Sequence, residues 1–310
     1  LLVGDTEVWK LDSEFKWQVN TNSDILENLD GAYDLDKEWN VPSGYVVLGQ
    51  QDGEKSMMLS DLYYADLDDW DDDGDGITDM QPFSEIFSFE TMVGRWPVRT
   101  PEELENVILK TMDVKVSNMV DFWGSEEWRE LYNQEDIDEY CINAPANFLD
   151  QGSITIECVM HLIFGYDSNT SFAMNYVPLE DISAGNLSFA DYFLNTERPI
   201  FANFHGSLFG IDGLTVNDVD KFTRIIPLYV PQSCSMVHYY LRSVDALSEA
   251  LVKAEKGPAT LAVPPNSYFF FKQLAQGKTI GEAFYPKEQK WMLNRWYSML
   301  FGDPSLKIFE

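Results

Sequence analysis

Two stretches decide the fold: Pro199-Ile200-Phe201-Ala202-Asn203-Phe204-His205-Gly206-Ser207, and further along Ile225-Ile226-Pro227-Leu228-Tyr229-Val230-Pro231-Gln232-Ser233-Cys234. Each is a short, nearly continuous apolar run that ends on a chemically reactive side chain. Runs of this kind are strands buried on both faces, as in parallel sheets covered by helices. His205 and Cys234 then stand at the carboxyl ends of two neighbouring strands, the edge at which open α/β sheets bind their ligands. A thiol and an imidazole at one edge are the minimum for nucleophilic acyl transfer: the thiolate attacks and the imidazole handles protons. Taken alone, the two positions also fit blander roles. A strand-end Cys serves as a small buried hydrophobe, and a His completes hydrogen-bond networks. His238, four residues after Cys234, is a rival partner without a strand end of its own.

Working outward, further strands are expected at Leu1–Val3, Tyr45–Leu48, Thr91–Arg95, Tyr140–Ala144, Ser171–Tyr176, Ala259–Val263 and Ser305–Phe309. Helices fall between them. Thr100-Pro101-Glu102-Glu103 is a start signal, with Thr100 as cap, Pro101 in the first turn and Glu103 closing a capping box. Leu104, Val107, Ile108 and Met112 then share a face. Ser243 is expected to cap a helix over Val244–Lys256 that turns Ala246, Leu247, Ala250 and Leu251 inward and stops at Gly257. Other helices are expected at Ile154–Phe164, Asn217–Thr223, Tyr268–Gln276 and Glu288–Leu300, with Phe269-Phe270-Phe271 packed in the core. Strands alternating with helices predict an α/β fold, an α/β/α sandwich around a mostly parallel sheet. The polar stretch Phe122–Asp136 marks a division into an N-terminal subdomain, 1–120, and a second subdomain, 121–310, that carries His205 and Cys234.

The 310 residues are 45% hydrophobic and 14% aromatic, enough for a sizeable core. Fifty-two acids face twenty-one bases, for a formal net charge of −31. Such a surface repels phosphate backbones, which argues against nucleic-acid binding, and it disfavours anionic membranes. It suits solubility in saline water, cation binding or attraction of basic substrates, an ordinary acidic surface being the simplest cause. The three cysteines, Cys141, Cys158 and Cys234, fit neither a disulfide framework nor a zinc pattern. No apolar run is long enough to span a bilayer. The opening Leu1-Leu2-Val3-Gly4-Asp5, without Met, reads as a strand of a processed or truncated chain rather than as a signal peptide.

Asp71-Asp72-Asp73-Gly74-Asp75-Gly76-Ile77-Thr78-Asp79 sets carboxylates at alternate positions around two glycines. Ca²⁺ takes six to eight oxygen ligands, and Asp71, Asp73, Asp75 and Asp79 would supply several from one tight loop. The twelfth position is Pro82, so this is no paired-helix EF-hand. A structural Ca²⁺ loop and a solvated acidic turn are both open.

The order of motifs carries more than any one of them. Leu1–Asp5, Ser60–Asp66 ahead of the Asp/Gly-rich loop, Val93-Gly94-Arg95-Trp96-Pro97-Val98-Arg99-Thr100, His205-Gly206-Ser207, Cys234, Ser248–Leu251, Thr279–Ala283 and Gly302-Asp303-Pro304-Ser305-Leu306 together resemble the gingipain-like cysteine peptidases, peptidase family C25. The resemblance implies a caspase-like fold and an endopeptidase acting on protein or peptide substrates through a Cys234–His205 dyad. It also implies an oxyanion hole from the backbone N–H groups of Cys234 and Gly206, and an acidic residue, Asp150, that orients the imidazole. It implies a preference for a basic residue before the cleaved bond, and an extracellular or cell-surface location. Two positions depart from the family: Val237 stands where a Gly is common, and Phe204 where a small residue is usual. They give weight to an alternative, a catalytically inactive caspase-fold homologue serving as a calcium-stabilised surface or interaction module. A different thiol hydrolase on the same scaffold is a third reading. Nothing in the sequence sets the oligomeric state.

Overall fold

The computed structural model describes residues 1–3, 44–51, 54–65, 91–117, 119–124, 173–177, 188–203, 206–207, 209–211, 213–231, 245–264, 270–271, 273–274, 276–285 and 298–309. In chain order the strands are β1 (Leu2–Val3), β2 (Gly44–Gln51), β3 (Glu54–Ser60), β4 (Arg95–Trp96), β5 (Met119–Gly124), β6 (Ala173–Val177), β7 (Ile200–Asn203), β8 (Gly206–Ser207), β9 (Gly210–Ile211), β10 (Leu214–Thr215), β11 (Ile225–Ile226), β12 (Tyr229–Pro231), β13 (Gly257–Pro258), β14 (Leu261–Val263) and β15 (Met299–Phe301). Among the described residues the α-helices include α1 (Pro101–Met112), α2 (Phe189–Asn195), α3 (Leu247–Lys253) and α4 (Ile280–Phe284), and residues 270–271 and 273–274 are helical as well. Among the described residues no helix is long and apolar enough to cross a membrane.

Among the described residues, eight strands form one sheet in the order β1-β4-β15-β14-β12-β7-β5-β6. Every pairing in it is parallel except that of β14 with β15. The sheet is covered on both faces, and the alternation of side chains along each strand shows how. Val120, Phe201, Val230, Ala262 and Leu300 face one core, which also holds Phe270, Phe271, Leu274 and the α4 residues Ile280, Ala283 and Phe284. Trp123, Ile200, Ala202, Tyr229, Leu261 and Phe301 face the other, against Val107 of α1, Phe189 and Phe193 of α2 and Leu247 and Leu251 of α3. Successive residues of a strand point to opposite faces, so two cores on one sheet make a three-layer α/β/α sandwich. The boundary between residues 120 and 121 falls inside β5, and β1 and β4 share the sheet with β12 and β14.

Several expected elements sit where the residues placed them; others moved for identifiable reasons. The run Ile225–Val230 is two strands in different sheets, because Pro227 has no N–H to give a ladder. Ser305–Phe309 is not a strand. The strand is Met299–Phe301, which overlaps the last two residues of the span read as a helix, and Asp303 instead accepts the Ser305 backbone N–H at 2.8 Å in a turn. Phe122–Gly124 belongs to β5, between β6 and β7, rather than to a polar connection. The helix expected from Val244 begins at Leu247. Its cap position is Ala246, whose N–H donates to Glu249 Oε2 at 2.7 Å. It ends at Lys253, before Gly257, which opens β13 with φ +99°. Residues 216–221 form a 3₁₀ turn capped by Thr215. Tyr140–Ala144 and Ile154–Phe164 lie outside the described residues.

The capping box of α1 is present, with the Glu103 N–H donating to Thr100 Oγ1 at 3.2 Å and the Thr100 N–H to Glu103 Oε2 at 3.2 Å. The buried face differs from the expected one. Val107 is buried, but Met112 is 78% exposed and Ile108 lies at the surface, while Lys110 is buried. The reason is the end of α3. Lys110 Nζ donates to the carbonyls of Leu251, Val252 and Ala254 at 3.2, 2.6 and 2.8 Å. These are carbonyls left open at a helix C-terminus, and an amine there satisfies them and meets the negative end of the helix dipole. At the N-terminal end of the same helix pair, Arg99 pairs with Asp245 at 2.7 Å, and Lys253, the last residue of α3, reaches the same carboxylate at 2.8 Å.

A second polar anchor lies where Ser60–Asp66 meets Val93–Thr100. Fully buried Arg95 holds Asp61 through two hydrogen bonds, Nε to Oδ2 at 2.7 Å and Nη2 to Oδ1 at 2.6 Å. Tyr285 donates to the Val93 carbonyl at 2.9 Å; burial, and then the Asp61 charge, push its pKa well above the ordinary phenol value. The Gly302 N–H donates to the Arg95 carbonyl at 2.9 Å. The backbones approach so closely here that a Cβ on Gly94 would stand 2.2 Å from the Gly302 carbonyl oxygen, and one on Gly281 2.7 Å from Pro304 Cβ. The motifs around Gly94, Gly281 and Gly302 are thus one interlocked structural joint.

Breaking that joint is costly. Arg95→Met leaves Asp61 buried without its cation and is expected to remove about 3–5 kcal/mol of stability, read from the shift in denaturant midpoint at unchanged slope. Burial also pulls the Lys110 pKa down from its ordinary 10.5 to about 7. The unfolded chain then binds more protons than the folded one between those values, so this group makes stability rise as pH climbs from about 7 toward 10.5. Tyr192, pushed up to about 12, acts the other way, its contribution being full below about 10 and lost as pH rises through 12. Chemical denaturation from pH 7 to 10 should show a gain in the wild-type protein that is absent in Lys110→Met.

Candidate active site

Within the sheet, five consecutive neighbours run β6-β5-β7-β12-β14, all parallel. From β5 the chain moves outward to β6, and from β7 it moves the opposite way to β12 and β14. The reversal makes the gap between β5 and β7 a topological switch point, and the crevice beyond the carboxyl ends of strands at such a point is where α/β sheets bind ligands. β7 is one wall of that gap and β12 is its other neighbour. Their register pairs Ile200 with Tyr229, Phe201 with Val230 and Ala202 with Pro231. His205 follows Ala202 by three residues, and Cys234 follows Pro231 by three.

The chain just past His205 is tied down. Gly206 and Ser207 form β8, which pairs antiparallel with β9 at Ile211 and Gly210, and β9 pairs with β10. Ser207 Oγ donates to the Gly210 carbonyl at 3.3 Å. Ile211 and Leu214 are buried in the core that α2 and α3 share. Gly206 therefore stands between the end of a central strand and a small sheet anchored in the core. At the base of β12, Tyr229 packs on Phe193 with ring centroids 4.6 Å apart, and Phe193 stacks on Phe189 at 5.2 Å.

Of the expected site residues, Gly206 is described and lies at the carboxyl edge of the sheet. His205, Cys234 and Asp150 lie outside the described residues, as do His238, Phe204 and Val237 and the loop carboxylates Asp71, Asp73, Asp75 and Asp79. Among the described residues, no group of three or more His, Cys, Asp or Glu side chains could hold a metal ion.

One buried charge escaped the sequence reading. Asp121 on β5 is fully buried, accepts a hydrogen bond from the Tyr192 hydroxyl and pairs with Arg198 Nη1 at 3.4 Å. Burial and the hydrogen bond to Asp121 push the Tyr192 pKa up to about 12. The signal was present as Met119-Val120-Asp121-Phe122-Trp123, a strand-like run in which one acid replaces an apolar residue. Such an acid is tolerated only where partners are built for it.

No curated protein matches the chain. Three solved structures resemble it. The crystal structure of the Arg specific cysteine proteinase gingipain R is 17% identical, with 75% of this chain and 57% of that one covered and a TM-score of 0.43. The complex of Porphyromonas gingivalis RgpB pro- and mature domains is 15% identical, with 75% and 63% covered and a TM-score of 0.43. A structure described as that of a protease is 14% identical, with 84% and 61% covered and a TM-score of 0.47. The chain spans between 57% and 63% of the length of these structures. The profile of peptidase family C25 matches residues 1–309. With that match over its length, and a mostly parallel sheet in a caspase-like α/β/α sandwich, the chain belongs to peptidase family C25, a family of cysteine peptidases.

Proposed function

We propose that the chain carries the catalytic centre of a cysteine endopeptidase, with Cys234 as nucleophile and His205 as its proton-handling partner. The observation that carries this is the in-register parallel pairing of β7 and β12. Neighbouring strands lie about 4.8 Å apart. Three residues of chain reach at most about 11 Å, so a Cys and a His each three residues past one shared rung are within reach of a common point, which supports the reading.

In the proposed reaction the Cys234 thiolate attacks the scissile carbonyl carbon, and the carbonyl oxygen takes up the electron pair as an oxyanion. Backbone N–H groups of Cys234 and Gly206 stabilise that charge. His205 protonates the amine as the C–N bond breaks, leaving a thioester that water hydrolyses with His205 now acting as base. Asp150 orients the imidazole. An acidic surface favours substrates with a basic residue before the cleaved bond, and a peptide panel varied only at that residue tests the preference. The Asp71–Asp79 loop is proposed, on its sequence, to hold a structural Ca²⁺.

A peptidyl chloromethyl ketone should label the protein once, at Cys234 by peptide mass mapping. Cys234→Ala should abolish labelling and peptide hydrolysis. His205→Ala should cut kcat/KM by at least about a hundredfold, the size of a general acid–base contribution. Labelling elsewhere, or turnover surviving in Cys234→Ala, contradicts the proposal. For the loop, millimolar Ca²⁺ should raise the Tm of chelator-treated protein, and Asp73→Ala with Asp75→Ala should remove that rise; an identical Tm with and without Ca²⁺ rules the loop out as a stabilising site.

A further inference from the structure

The opposite edge of the sheet, where β5 and β7 begin, carries a cleft of about 330 Å³. Four bases line it from four separate segments: Lys115 ahead of β5, Arg198 ahead of β7, Arg224 ahead of β11 and Lys256 after α3. Two acids, Asp113 and Glu197, stand with them. Across the chain, acids outnumber bases by 52 to 21, so the local balance is inverted. Carboxylates are abundant, yet Lys115, Arg224 and Lys256 make no ion pair with a described residue. Arg198 is different. Buried Asp121 holds its Nη1 at 3.4 Å while receiving the Tyr192 hydroxyl on the other oxygen, and its side chain remains 41% exposed. The guanidinium is thus braced from behind with donors left over.

Bases gathered around one hollow repel each other, and a multivalent anion among them relieves that repulsion. Arginine offers a planar fork of donors and lysine a mobile point charge, the usual pair for oxyanions. The volume is at the low end for small-ligand sites and admits a small molecule, not a folded partner. We propose that this cleft binds a small multivalent oxyanion of the phosphate or polycarboxylate class. The site is at the sheet edge away from the carboxyl ends of β7 and β12 and does not depend on the proposed peptidase chemistry.

Isothermal titration calorimetry and thermal shift with inorganic phosphate and with citrate, at ionic strength matched by NaCl, test it. Saturable heat and a Tm rise beyond the NaCl control are expected with at least one of the two, and which one responds assigns the class. Arg224→Gln combined with Lys256→Gln should raise the dissociation constant at least about tenfold. Its ligand-free Tm should stay near the wild-type value, because neither side chain holds a described partner. Absence of saturable binding to both anions overturns the proposal. So does binding that is unchanged in a double variant whose ligand-free Tm is intact.

Discussion

β7 and β12 lie side by side and parallel, with Ile200, Phe201 and Ala202 level with Tyr229, Val230 and Pro231. Both faces of this pair are buried. Phe201 and Val230 enter one core, and Ile200, Ala202 and Tyr229 enter the other. A slip of one residue would exchange the faces of every side chain in the moved strand, placing a Phe or a Tyr in a space built for its neighbour. The register is therefore fixed from both sides of the sheet, and with it the level at which the chain leaves each strand. The proposed dyad rests on that level. Its two members are 29 positions apart in sequence, and the strands that precede them share the rung Ala202–Pro231.

The surrounding structure keeps that rung in place with a few buried polar contacts. Lys110 closes the end of α3, Arg95 holds Asp61 where the first segments of the chain meet the sheet, and Asp121 ties β5 to α2 and to the approach of β7. Each is an ionisable group withdrawn from water and matched by partners, since an unmatched one would be costly. In a chain so rich in acids, bases are scarce, and two of the most buried, Arg95 and Lys110, serve the framework. The conspicuous motifs divide accordingly. Those around Gly94, Gly281 and Gly302 hold the architecture through close backbone contact, whereas Gly206 and Ser207 form β8 just past the carboxyl end of β7.

Legibility in the sequence followed the range of the interactions. The capping box at Thr100 and Glu103 is local chemistry within four residues, and it is present as read. The central strands were legible because burial on both faces leaves an unbroken apolar run. β5 was obscured by Asp121, whose partners Tyr192 and Arg198 come from 71 and 77 residues away. The burial of Lys110 was equally hidden, since its acceptors lie 141 to 144 residues on. β15 was missed because three apolar residues after a helical pattern do not announce a change of period. The carboxyl ends of β7 and β12 were legible from their apolar runs, while His205 and Cys234 beyond them lie outside the described residues. The cleft on the other edge was not, because its four bases come from distant segments and only the topology gathers them.

The measurement that bears most directly on the shared rung is a crystal structure of the protein covalently trapped by a peptidyl chloromethyl ketone. The account predicts an inhibitor bonded to the sulfur of Cys234, its backbone lying over the carboxyl ends of β7 and β12, with the His205 imidazole on the opposite side of the trapped carbonyl and the Gly206 N–H facing the oxygen. A sulfur enclosed in either core, or an imidazole turned to a different edge of the sheet, would contradict it.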